Sequence, residues 1–115
     1  MTAIAAFLDL VGQLDEVRVI DHTRYLKLEV AGHPFGYLWE PTRTVGLKQT
    51  LAEQAALVAE RPELFEVQFT AGGFGWVVVH LDGVGREELA ELTFEAWRLS
   101  APRALVASRG ERLPV

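Results

Sequence analysis

Phe74-Gly75-Trp76-Val77-Val78-Val79-His80-Leu81-Asp82-Gly83-Val84-Gly85-Arg86-Glu87-Glu88-Leu89 reads as a buried strand, a glycine-containing turn and the opening of an amphipathic helix. From Trp76 to Leu81 the residues are β-branched, aromatic or aliphatic apart from one histidine, the composition that favours a pleated, half-buried surface. Side chains alternate across a strand, so Val77, Val79 and Leu81 share one face and Trp76, Val78 and His80 the other. The first set is uniformly aliphatic and is expected to pack against helices. The second mixes an indole, a valine and a titratable ring, and is expected to meet solvent, a ligand or a partner. Asp82-Gly83-Val84-Gly85 breaks the run, and Glu87 and Glu88 then fall in the first helical turn, where the helix dipole favours acids.

Outward from this stretch, the 115-residue chain has the length of one domain with a single core, and half of its residues are hydrophobic. Cysteine is absent, which excludes disulfides, thiolate metal sites and a cysteine nucleophile, and agrees with a cytoplasmic location. Thr2 to Leu14 is apolar but contains Asp9 and lacks a basic start, so it is expected to be an amphipathic helix and not a signal peptide. No apolar run approaches the roughly 18 residues of a membrane span. The net charge of −5 argues against a non-specific nucleic-acid binder. Its distribution is uneven: residues 18–48 and the C-terminal stretch, with Arg98, Arg103, Arg109 and Arg112, are locally basic, while the helices are acidic.

Thr2 can cap a first helix with Ile4, Phe7, Leu8, Val11 and Leu14 at helical spacing. Val17 to Ile20 reads as a short strand or an extended lead-in. Tyr25 to Val30 alternates, with Leu26, Leu28 and Val30 inward. Ala31-Gly32-His33 is a tight turn into a strand over 34–39, whose inward face is ambiguous because Phe35, Tyr37 and Trp39 share one side and Leu38 takes the other. Thr44 to Lys48 is a further strand, with Val45 and Leu47 inward. Thr50-Leu51-Ala52-Glu53 is a capping box opening a helix that Pro62 stops. Phe65, Val67 and Phe69 alternate inward in the next strand, and Ala71-Gly72-Gly73 turns into the strand of Trp76. The last helix runs from about Arg86 to Ser100, burying Leu89, Leu92, Ala96 and Leu99, and Pro102 ends it. The expected fold is therefore α+β: an antiparallel five-stranded sheet with three helices on one face, in the order α-β-β-β-α-β-β-α. Residues 1–107 form the single domain, and 108–115 are expected to be a flexible tail.

These residues carry a resemblance. Ala31-Gly32 before an aromatic strand, Val45-Gly46-Leu47-Lys48 before a helix, Pro62-Glu63-Leu64-Phe65, Gly75-Trp76-Val77, Leu81-Asp82-Gly83-Val84, Glu88-Leu89, Ala96-Trp97-Arg98-Leu99 and Ala101-Pro102 together make the chain resemble the MmcQ/YjbR-like family over residues 2–107. The combination is specific, although no single motif is. The resemblance implies a frataxin-like or secretion-chaperone-like two-layer fold in a small cytoplasmic bacterial protein. It also implies a double-wing DNA-binding module. Gly85 stands where the family often has a polar helix cap, and Asp21-His22-Thr23-Arg24 matches the corresponding family stretch loosely. The family offers no agreed catalytic residues to carry over.

Read for chemistry, the chain offers binding residues before catalytic ones. His80, Asp82, His22 and Asp21 are ligand types for divalent ions, but their spacing matches no metal motif, and neither metal nor cofactor is expected. Ser100 and Ser108 lie near no obvious base, and Gly72-Gly73-Phe74-Gly75 leads into a strand where a phosphate cradle needs a helix N-terminus. The protein is therefore expected not to be an enzyme. The open sheet face would display Tyr25, Lys27, Glu29, Thr44, Lys48, Gln68, Thr70, Trp76, Val78 and His80. Two readings follow. In one, Lys27, Arg43, Lys48 and Arg103 contact phosphates beside Trp76 and the protein binds DNA. In the other, the face around Tyr25, Trp76, Val78 and His80 docks a protein, a small ligand or a second copy, the chain itself being monomeric or dimeric.

Overall fold

The computed structural model describes residues 2–115. Its elements are α1 (Ala3–Gly12), β1 (Val17–Asp21), β2 (Leu26–Val30), β3 (His33–Trp39), β4 (Thr44–Thr50), α2 (Leu51–Glu60), β5 (Phe65–Ala71), β6 (Phe74–His80), α3 (Arg86–Ser100) and α4 (Arg103–Arg109). One sheet of six strands runs in the order β1-β2-β3-β4-β6-β5, every neighbouring pair antiparallel. On one face α2 lies over β4, β5 and β6, α3 lies over β3 and β4, and α1 packs against α3. A single core fills the space between, from Phe7 and Leu10 of α1 to Leu28, Val45, Leu47, Val77 and Val79 of the sheet. The two-layer α+β fold agrees with the sequence reading.

Two counts differ from that reading, with six strands where five are expected and four helices where three are expected. The extra strand is β1. It pairs on one side only, and Ile20 directly after Val19 breaks the short Val17–Val19 alternation, so periodicity could not separate strand from lead-in. The extra helix is α4. Pro102, which ends α3, also occupies the N-cap of α4, a position where its fixed φ and missing N–H cost nothing. Leu105 and Val106 of α4 pack against the core.

The stretch 108–115, expected as a flexible tail, carries specific contacts. Arg109 is buried, donates to Gln13 O at 3.0 Å and Arg112 O at 2.8 Å, and lies near the Phe94 and Trp97 rings. The Val115 N–H donates to Gln13 Oε1 at 2.7 Å.

Caps follow the sequence closely. Thr2 Oγ1 accepts from Ala5 N and Thr50 Oγ1 accepts from Glu53 N. The box at Thr50 is only half as expected, because the Glu53 carboxylate takes the Thr50 hydroxyl and not its backbone N–H. In α3, Leu99 is only half-buried, whereas Trp97 is fully buried with its Nε1 donating to Asp15 O at 2.9 Å.

Two irregularities in the sheet decide which side chains reach the open face. Between β2 and β3 the register passes from Leu28 opposite Gly36 to Glu29 opposite Pro34, leaving Phe35 as the extra residue. The bulge sends Phe35 into the core and leaves Tyr37 and Trp39 on the open face, which resolves the ambiguity of that strand. Between β5 and β6 the register passes from Val67 opposite Val77 to Phe69 opposite Trp76, with Gln68 as the extra residue. Phe69, expected inward, is thereby turned outward onto Trp76, and Thr70 pairs with Gly75 on the helix side. Gln54 of α2 secures this bulge: its Nε2 donates to Trp76 O at 2.9 Å and Phe69 O at 3.2 Å. Gly75 makes room for it, since any Cβ there would strike the Gln54 side chain.

Candidate binding face

The residues of β4 and β6 that turn away from the helices pair directly: Thr44 with His80, Gly46 with Val78 and Lys48 with Trp76. Tyr37 of β3 sits beside Gly46, and Lys27 of β2 beside Tyr37. The same face therefore carries Lys27, Tyr37, Gly46, Val78 and, from β5, Glu66 in one row across five strands. Gly46 is the middle of that row and has no side chain. Rings from either side close over the gap: Tyr37 and Trp76, two strands apart, meet with centroids 5.4 Å apart. Gln68 lies over the Gly46 backbone, where a Cβ would collide with its amide.

The result is a continuous aromatic ridge. His22 stacks on Tyr25 at 5.1 Å, Tyr25 meets Trp39 at 4.9 Å and Tyr37 edge-on at 5.7 Å, Tyr37 meets Trp76, and Trp76 stacks on Phe69 at 5.1 Å. Tyr37 and Phe69 flank Trp76, which is only 6% exposed. The alternation that places Trp76 on the open face is correct, and the expectation that it remains solvent-exposed there is not. Its neighbours, and not a helix, cover it. The exposed members are His22 and Phe69 (39%) at the two ends and Trp39 (36%), which branches from Tyr25. Ring–ring contacts of this kind are worth about 0.5–1.5 kcal/mol each beyond the area they bury.

Charges surround the ridge, and most are already paired. Lys27 Nζ lies 3.2 Å from Glu29 Oε2, and that hydrogen bond, more than its charge, raises the lysine above its ordinary pKa. His80 Nε2 contacts Glu66, and Arg43 Nε donates to Asp82 Oδ2 at 2.6 Å. Arg43 itself sits at φ 52°, in the left-handed turn before β4. Among the described residues Lys48 forms no ion pair; its Nζ lies 4.1 Å from the Phe74 ring centroid, and burial lowers its pKa.

Of the seven residues singled out from sequence, Tyr25, Lys27, Lys48, Trp76 and His80 gather on the open face. Arg43 lies at its end, held by Asp82. Arg103 opens α4 in the helical layer, away from the others. The cations assigned to phosphate contact are thus not assembled into one patch. Nor do the candidate metal ligands converge: His80 pairs with Glu66, Asp82 with Arg43, Asp21 Oδ1 accepts from Thr23 N, and His22 stacks on Tyr25. Among the described residues no three His, Cys, Asp or Glu side chains form a metal-binding group, and no helix is long and apolar enough to cross a membrane.

Sequence reasoning did not select Tyr37, Trp39, Phe69 or Gly46 as parts of the site, whereas Gln68 was expected on the open face and lies there, over Gly46. The shared side of Tyr37 and Trp39 was visible in the period of two. The position of Phe69 was not, because a bulge leaves no mark in local alternation.

A family model described as YjbR matches residues 13–99 of the chain. No curated protein and no solved structure matches it.

Proposed function

Because the chain belongs to the YjbR family, with no chemistry attached to that membership, we propose its function from the open face: a non-catalytic module that docks a protein partner through the aromatic ridge. The observation that supports this reading is the run from His22 through Tyr25, which also meets Trp39, to Tyr37, Trp76 and Phe69, rimmed by the ion pairs Lys27–Glu29 and Arg43–Asp82 and by the His80–Glu66 contact. An aromatic centre with a polar rim is the anatomy of a protein interface. The ring faces are largely spent on one another, so the ridge offers ring edges and the outer Trp39 and Phe69 as anchors. A base-stacking platform needs free faces.

One observation favours a second reading, binding of DNA, which the family resemblance also suggests. Among the described residues Lys48 forms no ion pair, and it adjoins Trp76, so a phosphate could meet its ammonium beside an aromatic surface. The two readings are separated by a photo-crosslinking residue placed at Trp39 in the host cell, with the same residue at Glu87 of α3 as control. Protein adducts, or adducts to a second copy, from position 39 alone support docking. Nucleic-acid adducts, together with duplex or single-stranded DNA affinity that falls steeply with salt in vitro, support the second reading. Equal adducts from both positions overturn the assignment of the open face.

A further inference from the structure

A second feature lies at one end of the sheet. β3 and β4 pair from Trp39–Thr44 to Gly36–Leu47 and no further, whereas β4 stays paired with β6 as far as Thr50–Phe74. The bulge at Phe35 lies immediately beyond Gly36, so the first residues of β3 follow β2 and part from β4. Lys48 stands on the open face where the strands part, beside Trp76. From the helical layer the split is closed by Ser100, the last residue of α3, whose Oγ donates to Pro34 O at 3.2 Å. The result is a cleft of about 460 Å³ walled by Pro34, Phe74, Trp76 and Leu99, with the exposed His33 also lining it.

Lys48 is the one lysine or arginine that lines this cleft, and no Asp or Glu lines it. Each of four other clefts holds at least one carboxylate, in keeping with the net charge of −5. The ammonium lies within the cleft, since its Nζ is 4.1 Å from the ring centroid of Phe74, itself a wall residue. Lys48 is half-buried, and among the described residues it forms no ion pair. Burial without a counter-charge disfavours the charged form, and an anion entering the cleft would offset that cost. The volume falls within the range of about 300–1,000 Å³ typical of small-molecule sites. One ammonium balances one negative charge, whereas a phosphate group carries about −1.5 to −2. A carboxylate on a compact apolar body meets both conditions. Its oxygens can accept from the Lys48 ammonium and from a ring N–H of His33, and its body can lie on the apolar wall.

We propose that the cleft between β3 and β4 binds a small monocarboxylate, its oxygens held by Lys48 and its apolar body resting on Pro34, Phe74 and Leu99. Such a ligand needs no protein docked on the ridge, and the ridge remains a docking surface without it. The test titrates the isotope-labelled full chain at low salt with phenylacetate, with its neutral analogue phenylacetamide and with inorganic phosphate, following the backbone amides by NMR. Phenylacetate is expected to give saturable shifts centred on the lining residues Gly72, Phe74 and Ser100. Phenylacetamide is expected to bind at least about tenfold more weakly, as is phenylacetate to the Lys48→Gln variant, because each change removes a hydrogen bond between charged groups. Phosphate is expected to bind more weakly than phenylacetate. Circular dichroism verifies that the variant folds, and the comparison of acid with amide uses the unaltered chain. No saturable shift at these amides, equal affinity for the amide analogue, equal affinity in the folded variant, or phosphate binding as tightly as phenylacetate would overturn the proposal.

Discussion

On its helix-covered side the sheet presents Leu28, Val45, Leu47, Val77 and Val79, all essentially inaccessible beneath α1, α2 and α3. On its open side it presents Tyr37, Trp39, Trp76 and Phe69, which have no second layer and cover one another. Aliphatic side chains need atoms from another element to leave water. Large rings standing side by side on a sheet can bury most of their own surface, as Trp76 does. Self-covering has a consequence that layer packing lacks: the end rings remain exposed and available. The covered face accounts for most of the stability, and the open face combines local order with a surface for contact.

Four substitutions break or sharpen this contrast. Trp97→Ala, on the covered side, is expected to have the largest effect, about 5 kcal/mol by denaturant unfolding, because it empties a large enclosed site and also strips Asp15 O of its donor. Trp76→Ala is expected to cost about 3 kcal/mol, the lower end for a buried aromatic, since water can reach the gap it leaves. Equal losses at the two positions would mean that the open face is as sealed as the covered one. Gly46→Ala must displace the Gln68 amide from the centre of the ridge. Because the obstacle is the end of a flexible side chain, the expected loss is about 1 kcal/mol, with a change in near-ultraviolet dichroism as Tyr37 and Trp76 separate. Trp39→Ala should cost less than about 1 kcal/mol, as an exposed substitution does. It should nevertheless abolish capture of the partner by a photo-crosslinking residue placed instead at the neighbouring, exposed Glu40, and a stable variant with intact partner binding would remove the ridge from the interface.

The smallest expected effect concerns pH and the covered side. Arg61, mainly through its hydrogen bonds, holds the Glu88 carboxyl below its ordinary pKa. A carboxyl depressed on folding contributes stability above the ordinary carboxylate pKa, and that contribution disappears as pH falls through the depressed value. Glu88→Gln is therefore expected to flatten the acid limb of the thermal midpoint and leave it unchanged in shape above neutrality, which a melting series from acid to neutral pH measures.

The sequence by itself determined the layered α+β fold, the caps at Thr2 and Thr50, the stop at Pro62, the inward set Val45, Leu47, Val77 and Val79, and the side of the sheet on which Trp76 stands. These follow from interactions within a few residues: alternation at period two, hydroxyl capping, and a proline that cannot continue a helix. Family membership was legible for a related reason, because the carrying residues form short, ordered runs. The tertiary structure alone decided that β1 joins the sheet as an edge and that the residues after Pro102 form a helix packed on the core. It also decided that Phe35 turns in while Phe69 turns out. Each of the last two depends on a bulge, and a bulge is a property of two paired strands that neither strand encodes alone. The near-complete burial of Trp76 has the same origin: Tyr37 reaches it across Gly46, and Phe69 reaches it through the shifted register of β5, so the exposure of one indole is set by residues 39 positions before it and seven before it.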